Sequence, residues 1–177
     1  IYFDEIINNR LRGVSRMESL EIILEKANKK YTNEEKLILA SKKNEIYKES
    51  LKELTRKDVS TEVIETLDYL KEKGIKMAIG SSSRNTMLIL SSIELLDYFD
   101  EIVDGNQISK SKPDPEVFVK ACDKIKLLKE ECIVVEDAVS GVLAAINGGF
   151  KVCGINDASK FEKTTYSINN LKDILKY

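Results

Sequence analysis

Cys132-Ile133-Val134-Val135-Glu136-Asp137-Ala138-Val139-Ser140-Gly141 is the stretch on which the fold turns. A strand with one wet face alternates apolar and polar residues. A run that is apolar at every position instead predicts a strand buried on both faces, as in a parallel sheet covered by helices. Two adjacent acids close the run. Side by side they repel, unless a cation or hydrogen-bond donors offset them, and ligands of open parallel sheets bind beyond the carboxyl ends of the strands. Glu136 and Asp137 therefore suit Mg2+, which takes one or two carboxylates with water and phosphate oxygens. They also suit the positive end of the helix that follows.

Outward from this stretch the pattern alternates. A helix over 140–148 leads to a strand over 151–155. Upstream, a helix over 62–73 stops at Gly74, and the apolar run 75–80 predicts a strand. A helix over 85–96, a strand at Glu101-Ile102-Val103 and a helix over 116–126 follow. Strands alternating with helices predict right-handed crossovers and a parallel sheet. The first third reads differently, as helices without strands. Ser15-Arg16-Met17-Glu18 is a capping box, followed by Leu20, Ile23, Leu24 and Ala27 at helical spacing. Thr32-Asn33-Glu34-Glu35 starts a second helix through Leu37, Ile38 and Ala40 toward Leu54, so a small antiparallel helical module is expected. The pentapeptide Tyr-Phe-Asp-Glu-Ile occurs at 2–6 and again at 98–102, which reads as coincidence.

Composition narrows the chemistry. The 177 residues carry a net charge of −2, so no bulk positive field draws nucleic acid or an anionic membrane. No apolar run is long enough for a bilayer and no basic-then-apolar leader opens the chain, which leads us to expect a cytoplasmic protein. Cys122, Cys132 and Cys153 lack a CxxC spacing and read as small hydrophobes in a reducing compartment. There is no histidine. Ser-His-Asp, Cys-His and HExxH chemistries are thereby excluded within these residues, leaving carboxylates and lysine.

Two further polar clusters sit in loops. Ser81-Ser82-Ser83-Arg84-Asn85 follows the predicted strand at 75–80, and hydroxyls with free backbone N–H groups at a helix start suit a phosphate, Arg84 adding charge. An ordinary serine N-cap has the same wording. Lys110-Ser111-Lys112-Pro113-Asp114-Pro115 holds the only two prolines, which fix its backbone. A lysine held there could neutralise a transferring phosphoryl group; a basic surface turn reads the same way.

The order hydroxyl, lysine, paired acids, each after a successive part of an α/β alternation, resembles the motif set of the haloacid dehalogenase-like hydrolase superfamily. Val135-Glu136-Asp137-Ala138-Val139-Ser140-Gly141 and Ser111-Lys112-Pro113-Asp114-Pro115 carry the likeness. Leu11-Arg12-Gly13-Val14-Ser15-Arg16 with Ser19-Leu20, continuing through Asn44 and Tyr47, resembles the cap signature of the beta-phosphoglucomutase type. Positions 82 and 84 depart from it, with serine for alanine and arginine for lysine. Neither change removes a donor or a charge.

The resemblance implies an α/β fold: a Rossmann-like parallel-sheet core over 55–177 and a small helical cap over 1–54. It implies that Ser81 hydrogen-bonds the transferring phosphoryl oxygens, Lys112 offsets their charge, and Asp137 with Glu136 holds Mg2+. Arg16 would grip the phosphate that stays, helped by Ser83, Arg84 and Asn85, with Ser19 and Ser82 also in the substrate site. The implied activity is interconversion of beta-glucose 1-phosphate and glucose 6-phosphate through glucose 1,6-bisphosphate, by a monomer acting on a phosphorylated sugar. The alternatives are a Mg2+-dependent sugar-phosphate phosphatase of the same superfamily and a non-catalytic phosphosugar-binding fragment.

The family's nucleophile lies in an Asp-x-Asp motif closing the first strand, and the chain has none. Asp4 follows Ile1-Tyr2-Phe3, but Ile6 stands where the second aspartate belongs, and Leu11 follows too soon. Ile1 is not a methionine, so we expect a fragment, a processed product or a chain whose first part is missing. The missing strand would lie centrally, between those ending at Ser81 and Glu136. Its absence is expected to open a slot about 9–10 Å wide, two strand spacings.

Overall fold

Helices fill the first third as expected. The computed structural model describes residues 4–177, so Ile1, Tyr2 and Phe3 lie outside the described residues. Helices α1 (Glu5–Arg10), α2 (Arg16–Leu24) and α3 (Asn33–Leu51) come first. Asp4 is the N-cap of α1, its carboxylate accepting the Ile7 N–H at 2.8 Å. That role accounts for its acidity without chemistry, and the second copy of its pentapeptide runs into a strand. Ser15 with Glu18 and Thr32 with Glu35 form reciprocal capping boxes at the starts of α2 and α3. Arg10 grips Glu25 with both guanidinium nitrogens, at 2.7 and 2.6 Å, and ties α1 to the end of α2. Leu20 and Ala40 are buried between helices, but Leu37 and Ile38 are 60% and 61% exposed. A layer of three helices has too few neighbours to cover every apolar residue.

The α/β part follows: α4 (Thr61–Glu72), β1 (Ala78–Gly80), α5 (Thr86–Ser92), β2 (Glu101–Val103), α6 (Glu116–Ile125), β3 (Ile133–Glu136), α7 (Val139–Asn147), β4 (Lys151–Gly154) and β5 (Tyr166–Ser167). Every observed pairing is parallel. The strand predicted over 75–80 shrinks to its last three residues. The helix predicted over 85–96 stops at Ser92, because Glu94 turns left-handed at φ 56°. Four of these helices end alike. Ile75 N–H reaches back to the Leu70 carbonyl, Leu95 to Leu90, Leu127 to Cys122 and Phe150 to Ala145, around left-handed Gly74, Glu94, Lys126 and Gly149. This closing turn satisfies the orphan carbonyls and redirects the chain. Gly74 suits it because glycine pays no Cβ penalty at φ 69°.

The sheet is not continuous. Strands β1 and β2 form one pair, and β3-β4-β5 form a separate three-stranded sheet. Among the described residues β1 and β3 each have a partner on one side only, facing the position expected for the first strand. This corrects the expectation for 132–135: Cys132 and Val134 pack on the core, but Ile133 and Val135, on the other face of β3, are each 38% exposed. Helix α6 packs across β1 and β2 and touches α7, which lies on β3 and β4. These helices bridge the two sheets through Val103, Val117, Phe118, Val142, Phe150 and Val152. A second cluster, Leu67, Met77, Leu90 and Leu95, fills the space under α4 and α5.

The cysteines are free, and the fold brings two of them closer than their spacing suggests: Cys122 Sγ lies 3.8 Å from Cys132 Sγ. Burial, then the neighbouring Cys122, pushes the Cys132 thiol up to about 11. A thiol held protonated is a poor nucleophile, in keeping with a packing role. Among the described residues no helix is long and apolar enough to cross a membrane.

Candidate active site

A cleft of about 1370 Å³ opens between the helical layer and the carboxyl ends of β1 and β3. Its walls contain each residue singled out from the sequence: Arg16 and Ser19 from α2, the 81–85 loop, Lys112, Glu136 and Asp137. Four separate segments thus converge on one space.

The buried end of the cleft is an ion pair between Lys112 and Glu136, whose side chains are 6% and 8% exposed. The Lys112 ammonium also stands 4.5 Å from the centroid of the Phe118 ring, a cation–π contact. The other Glu136 oxygen accepts the backbone N–H of Asp137 at 3.2 Å and that of Ala138 at 3.4 Å. Glu136, grouped with Asp137 as a metal ligand from the sequence, is thus engaged with Lys112 and the start of α7. The Asp137 carboxylate is exposed in the cleft mouth and takes no hydrogen bond among the described residues.

Gly141 lets Glu136 lie there. Any Cβ at 141 would overlap the Glu136 carboxylate. Its need for glycine is a property of the packing, invisible in the sequence. Gly141→Ala is expected to cost about 1–3 kcal/mol, the range for overpacking a tight site. Urea unfolding checks this, and wild-type stability would mean that Glu136 can move aside freely.

The serine loop is internally braced. Ser81 Oγ accepts the Ser83 N–H at 3.2 Å, and Ser83 Oγ accepts the Asn85 N–H at 3.1 Å. Asn85 Nδ2 donates to Asn44 Oδ1 of α3 at 2.9 Å, a buried bond between the helical layer and the α/β part. Asp104, 2% exposed, was not foreseen; it accepts both N–H groups of Asn106, whose amide also holds the Arg84 carbonyl at 3.2 Å. Further ties cross the cleft edge. Ser140 Oγ donates to the Arg12 carbonyl at 2.9 Å, and Arg12 pairs with Asp157 at 3.2 Å. Burial pushes the Glu18 carboxyl up, but hydrogen bonds from Ser15 and from the Ser111 hydroxyl outweigh it and hold it below the usual carboxylate range.

The charges are unevenly matched. Lys112 is paired, and Lys110 lies 3.5 Å from Asp114. Among the described residues no hydrogen bond or ion pair engages the guanidinium of Arg16 or of Arg84, which stand on opposite walls. For a divalent cation, no cluster of three or more acidic, cysteine or histidine groups exists among the described residues. One free carboxylate beside a cleft lined by two unengaged guanidinium groups fits Mg2+, which keeps waters and takes phosphate oxygens rather than needing a protein cage.

The model of the haloacid dehalogenase-like hydrolase family matches residues 8–155. The chain belongs to that family. Within it, the chain is 39% identical over 157 residues to beta-phosphoglucomutase of Bacillus subtilis, spanning 88% of this chain and 70% of that protein. It is 31% identical to the phosphorylated carbohydrates phosphatase of Thermotoga maritima, over 98% of this chain and 85% of the relative. The crystal structure of beta-phosphoglucomutase from Clostridium difficile superposes with a TM-score of 0.90 at 31% identity, over 98% of this chain and 79% of that one.

Proposed function

We propose that the protein transfers a phosphoryl group through an aspartyl phosphate, interconverting beta-glucose 1-phosphate and glucose 6-phosphate by way of glucose 1,6-bisphosphate. One observation carries the reading: a single cleft is lined by the buried Lys112, the Ser81 hydroxyl and the unengaged guanidinium groups of Arg16 and Arg84. A bisphosphate needs two anion stations, and this supplies both. The likeness to the Bacillus subtilis mutase supports the choice of sugar.

In this reading Ser81 and Lys112 hold the phosphoryl group that moves. Arg16, Ser83, Arg84 and Asn85 hold the one that stays, with Ser19 and Ser82 completing the wall. Asp137 would hold Mg2+, with Glu136 fixing Lys112 beside it. The cation supplies charge neutralisation on the phosphoryl oxygens. Helices of the 1–54 segment act as a cap, fastened by Asn44, Arg12 and the Arg12 carbonyl, and exclude water so that phosphate returns to sugar. None of the described aspartates lies on a strand between β1 and β3. The nucleophile of this reading is therefore none of the aspartates described in the α/β part.

A phosphatase acting on sugar phosphates is the second reading, favoured by the Thermotoga maritima relative. The protein purified from its own cells decides between them. Phosphate release without glucose 6-phosphate, even after priming with the bisphosphate, would sink the mutase and leave the phosphatase.

Arg16→Ala is expected to weaken binding of glucose 1,6-bisphosphate about 10–100-fold, the worth of one charge-assisted contact. Calorimetric titration of the 177-residue chain measures it. Equal affinity in the variant would remove Arg16 from the second station.

A further inference from the structure

We infer that Glu116 is a positioning residue, whose carboxylate splints the loop that delivers Lys112 to the cleft. The importance of that delivery rests on the phosphoryl-transfer reading; the splint itself is a matter of geometry.

Residues 104–115 join β2 to α6 without a strand or helix, so something other than a ladder must fix them. Lys112 does little for itself. Its backbone N–H reaches only Ser82 Oγ, at 3.5 Å, and its ammonium is held by Glu136 across the cleft. Glu116, the first residue of α6, supplies what is missing. One carboxylate oxygen accepts the Ser109 N–H at 2.9 Å, the Ser109 hydroxyl at 2.9 Å and the Lys110 N–H at 2.8 Å. The other takes the Lys120 ammonium at 2.5 Å, and the same ammonium donates to the Gln107 carbonyl at 2.7 Å. Four donors thus meet on one carboxylate, and three of them belong to the loop. An acid that merely favoured its own helix dipole would point at first-turn amides. This one turns back to residues that precede the helix.

The electrostatics agree. The Lys120 ammonium, then the Lys110 amide, holds the Glu116 carboxyl down to about 2, so it is fully ionised at neutral pH. The chain from Ser109 and Lys110 runs directly into Ser111 and Lys112, with Pro113 and Pro115 fixing the far side. Clamped at 109–110 and stiffened at 113–115, the loop leaves Lys112 little freedom. Sites that act by placement lose function when a supporting shell loosens by an ångström or less.

The test uses the 177-residue chain with two readouts. One is the rate at which an amine-reactive ester labels Lys112, read by mass spectrometry. The other is calorimetric titration with inorganic phosphate in the presence of Mg2+. In Glu116→Ala, Lys112 labelling should rise about tenfold as the loop opens locally. Labelling of Lys36, a half-buried lysine paired with Glu21 at 2.8 Å, should not change. Phosphate affinity should fall by about the same factor. Glu116→Gln, which keeps one oxygen for the loop amides, should lie between wild type and Ala in both readouts, and decides alone should Glu116→Ala not fold. Unchanged Lys112 labelling in a folded variant, or an equal rise at Lys36, overturns the splint. A wild-type chain that binds no phosphate while Lys112 labelling still rises defeats the phosphoryl-transfer reading and leaves the splint standing.

Discussion

Lys112→Met is expected to lower the unfolding free energy of the chain by about 3–5 kcal/mol, the usual cost of removing one partner from a buried ion pair. Methionine retains most of the length but carries no charge. Glu136 is then left with two backbone amides and no cation, at 8% exposure. The attraction to the Phe118 ring is lost too, a smaller loss of roughly 0.5–2 kcal/mol. Most of the damage should therefore lie in the stranded carboxylate rather than in the missing lysine. Adding Glu136→Gln to Lys112→Met tests this, because the neutral amide removes the uncompensated charge and should return much of the lost stability. Urea midpoints and slopes of wild type, both single variants and the double variant make the cycle. A Lys112→Met chain as stable as wild type would mean that water from the cleft already solvates the pair.

How much of this was legible in the sequence depended on whether the signal was local. Capping boxes at Ser15 and Thr32 are spacing rules over four residues and appear as read. Gly74 ends α4, and Glu101–Val103 is a strand with the predicted bounds. Local chemistry also placed the polar clusters in loops, and the strand-to-helix alternation placed those loops at one end of the strands. What failed were properties that belong to neighbours. The apolar run at 133–135 says what a strand can bury, not whether anything arrives to cover it, and one face of β3 proves to be partly exposed. Tyr166–Ser167 is a two-residue strand that exists only because β4 offers it an edge. Leu37 and Ile38 have helical spacing but lie where the helical layer has no partner.

The site shows the same division. The family resemblance named Ser81, Lys112 and Asp137, while residue type alone left the serine and lysine loops open to capping and surface roles. Glycine at 141 and 13 could not be named, since each is needed for a close approach to another segment: Gly141 to Glu136, and Gly13 to Ser140. Glu116 looked like an ordinary acid in a first helical turn. Only the path of the preceding loop shows where its oxygens point.

Asp137→Ala should separate the two effects that Lys112→Met combines: a large loss of turnover with little loss of stability. The carboxylate is exposed and takes no hydrogen bond among the described residues, so its removal should shift unfolding by no more than about 0.5 kcal/mol. Its assigned role is to hold Mg2+ at the cleft mouth, where a bound cation lowers a phosphoryl-transfer barrier by several kcal/mol. At about 4 kcal/mol, turnover would fall roughly a thousandfold. Two measurements separate the roles. Turnover of the protein from its own cells, followed against Mg2+ concentration, should lose its metal dependence in the variant. Calorimetry on the 177-residue chain should show that Mg2+ no longer strengthens phosphate binding. Residual turnover that still rises with Mg2+ to the wild-type level would transfer the cation to other ligands. A variant that unfolds as readily as Lys112→Met would mean that Asp137 is held in the fold in a way its exposed position does not suggest.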